Sequence, residues 1–80
     1  MNIEIMRLKT SLTDAKKKFR ILDTEASGLI ILIRIYLNPY DEILNIDMEK
    51  VNVSVDRLNV ITLEMKELSE KIKKLESEFE

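Results

Sequence analysis

Three glutamates spaced three residues apart are the closest approach to a catalytic pattern in this sequence. Glu64, Glu67 and Glu70 would lie on successive turns of a helix. Carboxylates in such a row can bind Mg²⁺, but the ion needs further oxygen ligands facing them. The first half of the chain offers only four acidic residues, and neighbouring lysines can pair with the glutamates along the helix. We therefore expect no metal, no cofactor and no catalytic residues.

The composition excludes several other kinds of chemistry. The chain has 80 residues with no Cys and no His, and it has one Gly. Thiolate metal sites, disulfides and imidazole bases are therefore absent, and no Gly-rich phosphate loop can form. We expect a non-enzymatic protein.

The one basic cluster comprises Lys16, Lys17, Lys18 and Arg20. Such a cluster can contact nucleic-acid phosphates, but the chain has a net charge of −2 and Asp14 precedes the cluster. A solvated helix face is the preferred interpretation, and nucleic acid is not an expected partner. The longest apolar run, 29–33, is much shorter than the ~20 residues of a membrane helix. We expect a soluble, cytoplasmic protein without a membrane partner.

A heptad pattern predicts that the first half of the chain is one long helix. Apolar residues alternate at spacings of three and four residues, which is typical of a coiled-coil seam. The seam comprises Ile5, Leu8, Leu12, Ala15, Phe19, Leu22, Ala26, Leu29, Ile33 and Tyr36. Helix one is expected over about 2–37, and Asn38-Pro39 should end it.

A second seam predicts a helix that extends to about residue 79. It is regular from Leu58 onward, whereas Asp47 and Ser54 interrupt it earlier. The connection has two interpretations: a turn over about 38–42, capped by Asn38, or a longer loop over 38–46, with Asp47 as the N-cap. The fold class is therefore all-α: a single domain, 1–80, forming an antiparallel two-helix hairpin.

The two seams can pair in more than one register. The preferred register places Ile5 against Leu75 and Phe19 against Ile61, and it suits the short turn. The longer loop suits a shift of one heptad, which leaves the first turn of helix one unpaired.

One partner helix cannot bury all the apolar residues near the turn. In 29–37 only Arg34 is polar, and a helix that is apolar all round must be buried all round. We therefore expect 28–63 to form the core of a homo-oligomer, most simply a dimer that makes a four-helix bundle. The predicted interface residues are Leu29, Ile30, Ile31, Leu32, Ile35, Leu37, Ile46, Val53 and Val60. Arg34 and Asp47 are candidates for an ion pair that sets the register.

The same segment has an alternative β interpretation. Segment 29–37 is dense in β-branched residues, and Val51, Val53 and Val55 alternate with polar residues. A helix–β-hairpin–helix chain of this kind resembles the architectural plan of prefoldin subunits, which would imply a chaperone function. The unbroken heptad phase favours the helix.

The expected function is that of a protein–protein interaction or assembly module. Segment 28–63 would form the oligomer core, and the arm made by 1–25 and 64–80 would contact another protein. Three alternatives are a prefoldin-like chaperone subunit, a ROP-like nucleic-acid-binding hairpin and a small all-α metal-dependent enzyme.

Overall fold

The protein is an extended pair of antiparallel α-helices in the computed structural model, which describes residues 2–79. Helix α1 spans Ile3–Tyr36 and helix α2 spans Met48–Ser77, with a short 3₁₀ helix at Ile43–Asn45 between them. The molecule measures 64 × 17 × 15 Å. The all-α hairpin expected from the heptads is confirmed. No helix within residues 2–79 has both the length and the hydropathy needed to cross a bilayer.

Side-chain caps decide where both helices begin. The Asn2 Oδ1 accepts a hydrogen bond from the Glu4 backbone N–H at 3.0 Å. The Asp47 carboxylate accepts one from the Lys50 N–H at 3.1 Å. Each bond satisfies an amide at the helix start that has no partner within the helix. Asp47 therefore determines that α2 starts at Met48.

Asn38 and Pro39 interrupt the helical chain after α1. The Asn38 Oδ1 accepts a hydrogen bond from the Tyr40 N–H at 2.9 Å, which forms an Asx turn. Residues 37–47 thus form the longer of the two expected connections. The expected β alternative is wrong, because 29–36 and 51–55 are helical. The prefoldin-like plan, which requires those strands, is not the architecture of this chain.

The core lies along the two seams. Nine of the ten predicted positions in α1 have reduced exposure, whereas Ile5 is exposed. The centre of the core contains Leu22, Ala26 and Ile61, and the Ile61 side chain is fully buried. Ser54, expected to interrupt the second seam, is also buried, because a small side chain is accommodated there.

The preferred register is wrong by one heptad. It placed Phe19 against Ile61, but Phe19 shares a groove with Ile72, and Leu12 shares the next groove with Phe79. Ile61 instead belongs to the cluster of Leu22 and Ala26. Compared with the preferred register, the longer connection shifts α2 along α1 by about seven residues. The first turn of α1 therefore extends beyond the end of α2 and is unpaired.

Candidate interaction surface

Most of the exposed large apolar side chains of residues 2–79 lie near the connection between the helices. Such a concentration is unusual, because an isolated protein normally covers or disperses its apolar surface. The residues concerned are Ile30, Ile31, Leu32, Ile35, Leu37, Tyr40, Ile43, Leu44, Met48, Val53, Val55, Val60 and Leu63.

Seven of the nine predicted interface residues are among them. Leu29 and Ile46 are the other two, and they are half-buried. Leu29 packs against the core cluster of the hairpin itself. The structure therefore assigns Leu29 to the hairpin core and leaves the seven others available to a partner.

One side of the hairpin collects apolar residues from both helices. On α2, Val53 and Val60 lie seven residues apart and share one edge, whereas Ile46 lies in the connection before α2 begins. On α1, Ile21 and Ile35 lie two heptads apart and therefore share an edge, and Leu32 lies beside Ile35. Glu25, one heptad before Leu32, hydrogen-bonds Arg57, which lies between Val53 and Val60, so the two edges belong to the same side of the hairpin. We call this surface, formed by Ile21, Leu32, Ile35, Val53 and Val60, the Ile35 face.

A bidentate ion pair links the helices on the Ile35 face. The Arg57 Nε donates to Glu25 Oε2 at 2.6 Å, and Nη2 donates to Oε1 at 3.0 Å. The two hydrogen bonds from Arg57, more than its charge, hold the pKa of Glu25 below its usual value. Hydrogen bonding to Glu25 likewise raises the pKa of Arg57. Both side chains are about two-fifths exposed, so solvent screens the pair.

Sequence reasoning did not identify this pair, although a signal for it was present. Glu25 and Arg57 each precede a seam residue by one position, Ala26 and Leu58. Residues at this position of an antiparallel coiled coil flank the seam and can meet across it.

The proposed pair between Arg34 and Asp47 does not form within the described part of the single chain. Asp47 caps α2, and its carboxylate lies 3.8 Å from Lys50 Nζ. Arg34 is exposed on the last turn of α1. A contact between Arg34 and a second copy stays a prediction.

The connection between the helices adds apolar surface that sequence reasoning did not single out. Leu44 is 97% exposed, Tyr40 94% and Ile43 79%. All three follow the Asn38-Pro39 stop, and the short-turn interpretation assigns Ile43 and Leu44 to the second helix. Apolar side chains so fully exposed are unfavourable in water, and they extend the apolar surface to the tip of the hairpin.

The residues considered for other chemistry are spread along exposed helix surfaces. Lys16, Lys17 and Lys18 are exposed on α1, and Glu67 and Glu70 on α2. Within residues 2–79, no three acidic side chains are grouped so as to hold a metal ion. The surface with the clearest physical character is therefore the apolar one.

Comparison with known proteins adds no identification. No protein-family model, no curated protein and no solved structure matches this chain.

Proposed function

We propose that this chain is a non-enzymatic assembly module that functions as a homodimer, joined through the apolar surface near the connection. The observation that carries the proposal is the concentration of exposed apolar side chains between Ile30 and Leu63. A second copy would bury the same surface on both chains, as two-fold symmetric dimers do. The arm made by 1–25 and 64–80 would then be presented to other proteins.

The area exposed by one hairpin supports the proposal. The chain exposes 6679 Å², whereas a compact monomer of 9.4 kDa exposes about 5,000 Å². Relative to the unfolded chain, the hairpin buries only about half of its surface, against about 60% for compact small domains. A second copy would supply the burial that the single hairpin lacks.

The size of the Ile35 face is adequate for a dimer. Half of the 64 Å length and the full 17 Å width give a footprint of roughly 500 Å² on each chain. Two such footprints amount to roughly 1,000 Å², which is near the lower limit for a specific interface. Contacts from the exposed tip residues would add to this area.

Light scattering during size-exclusion chromatography tests the proposal. We expect a mass near twice 9.4 kDa at micromolar concentration. The double variant Ile31→Glu/Ile35→Glu should be monomeric or unfolded, because charges at these positions cannot be buried without partners.

Ile3→Glu is a matched control. Ile3 and Ile31 occupy the same heptad position and are 65% and 58% exposed, but Ile3 lies at the opposite end of α1. The control should keep the dimer mass. A wild-type mass of 9.4 kDa that does not change with concentration would contradict the proposal.

A further inference from the structure

The two ends of the hairpin carry opposite charge. Residues 7–20 have six basic side chains and one acidic one, whereas residues 41–56 have five acidic side chains and one basic one. Residues 64–79, which pair with the basic part of α1, have five acidic and four basic side chains and are nearly neutral. The arm end is therefore positive and the tip is negative.

This charge distribution favours one orientation of two copies. If both tips pointed the same way, five acidic side chains of one copy would lie beside those of the other. If the tips pointed in opposite directions, each acidic tip would lie beside the basic arm of its partner. Complementary charge suppresses wrong arrangements more than it adds affinity, because like charges brought together at an interface are costly.

The Glu25–Arg57 pair lies near the middle of the Ile35 face. Ile21 and Gly28 bracket Glu25 along α1, and Val53 and Val60 bracket Arg57 along α2. Suppose that two Ile35 faces stack with their tips pointing in opposite directions and with the Glu25–Arg57 pairs at the same height. Two carboxylates and two guanidinium groups then meet at the centre of the interface.

We propose that the dimer is antiparallel, with two Ile35 faces stacked about the level of Glu25 and Arg57 and each acidic tip beside the basic arm of the second copy. The opposite face of each arm stays accessible to other proteins. The inference rests on the proposed dimerisation and gives it a geometry. The α1 helices of the two copies pack antiparallel, as do the α2 helices, which makes every neighbouring pair in the four-helix bundle antiparallel. The four-charge centre disfavours a slip of one heptad, since a slip would leave charges opposite apolar residues.

Distances between spin labels test this geometry, and the absence of Cys makes single labelling simple. A label at Leu44→Cys reports the separation of the two tips. We expect roughly 30–40 Å, because each tip lies about ten residues beyond the central level at ~1.5 Å per residue. Tips on the same side of a parallel bundle would be within about 20 Å, given interhelical distances of 8–10 Å.

A label at Asn59→Cys is the matched control. Asn59 is exposed, lies near the central level and is outside the Ile35 face, so its distance within the dimer is short in either orientation. A short Asn59 distance with a tip separation of 30–40 Å supports the proposal. A short distance at both sites overturns the antiparallel geometry but still supports the proposed dimer. No dipolar coupling at either site overturns dimerisation itself.

Charge reversal tests the electrostatic argument separately. Asp41→Lys/Glu42→Lys should weaken dimerisation at least tenfold at low salt, and the loss should shrink as salt screens the charges. Ser77→Lys, an exposed change at the other end of the hairpin, should have a much smaller effect. Equal dissociation constants for the tip variant and the wild type at low salt would overturn the role assigned to the charges.

Discussion

At the scale of single residues, two side chains have distinct roles in holding the hairpin together. Ile61 is the largest fully buried side chain within residues 2–79, and it belongs to the core cluster with Leu22 and Ala26. Glu25 links the helices from outside the core through Arg57. The first contribution is apolar and insensitive to pH, whereas the second depends on ionisation.

Truncating Ile61 should be among the most destabilising single changes. Ile61→Ala removes apolar surface and leaves a cavity between the helices, so we expect a loss of about 2–5 kcal/mol in the free energy of unfolding. Urea denaturation followed by circular dichroism measures it at fixed protein concentration. Ile3→Ala, at a residue that is 65% exposed, should cost much less. Equal losses would show that Ile61 is not the centre of the core.

The ion pair makes stability depend on pH in a defined direction. The folded pKa of Glu25 is depressed by its hydrogen bonds from Arg57, so this contribution is fully present above the ordinary value of 4.5. It is lost as the pH falls through the lower folded pKa. Arg57→Met should return the Glu25 pKa toward its ordinary value in an NMR titration, whereas Lys50→Met should leave it unchanged. A Glu25 pKa that is identical in wild type and Arg57→Met would contradict the assignment.

At the scale of the helices, α1 is continuous through Ser27 and Gly28. Gly28 has ordinary helical geometry without a positive φ, and a Cβ built there meets nothing within 4 Å in the hairpin. Helix α2 depends instead on its start, because Asp47 caps it and thereby lengthens the connection. Helix α1 is therefore weakened in its interior by Gly28, whereas the start of α2 is set by its N-cap, Asp47.

Gly28→Ala should stabilise the hairpin. Alanine loses less backbone entropy than glycine on entering a helix, so we expect a gain of about 0.5–1 kcal/mol in the free energy of unfolding. The measurement is urea denaturation of the monomeric Ile31→Glu/Ile35→Glu background, provided that it folds, and of the wild type. In the wild type a smaller gain indicates that the second copy approaches α1 closely at Gly28. A loss of stability in the monomeric background would contradict the open space seen at this position.

At the scale of the whole molecule, folding and dimerisation should be coupled. A hairpin that buries only about half of its unfolded surface has little stability of its own. Burial of the Ile35 face against a second copy would add apolar contacts that exist only in the proposed dimer. The thermal midpoint should therefore depend on protein concentration.

A tenfold dilution should lower the thermal midpoint by about 3–6 °C. Dilution removes about 0.7 kcal/mol of stability per chain from a dimer, and 1 kcal/mol corresponds to about 4–8 °C for a chain of this size. Circular dichroism melts over two decades of concentration measure the shift. Ile31→Glu/Ile35→Glu, if it folds, should melt at a concentration-independent midpoint. The same independence in the wild type would contradict coupled dimerisation.

The local pattern of the sequence determined the two helices and the residues that line the seam between them. Apolar spacing of three and four residues depends only on helix periodicity, so Phe19, Leu22 and Leu58 could be assigned to the seams without knowing the fold. The accumulation of apolar residues in 28–63 was visible for the same reason. Neither observation requires knowledge of a contact between distant residues.

Only the tertiary structure decided the register and the cross-helix pair. A seam that repeats every seven residues matches its partner almost equally well after a slip of one heptad, so periodicity alone cannot choose. The choice came from the connection: Asp47 caps α2 late, residues 37–47 span the gap, and Ala26 comes to lie beside Ile61. That register brings Glu25 within reach of Arg57, 32 positions away in the chain.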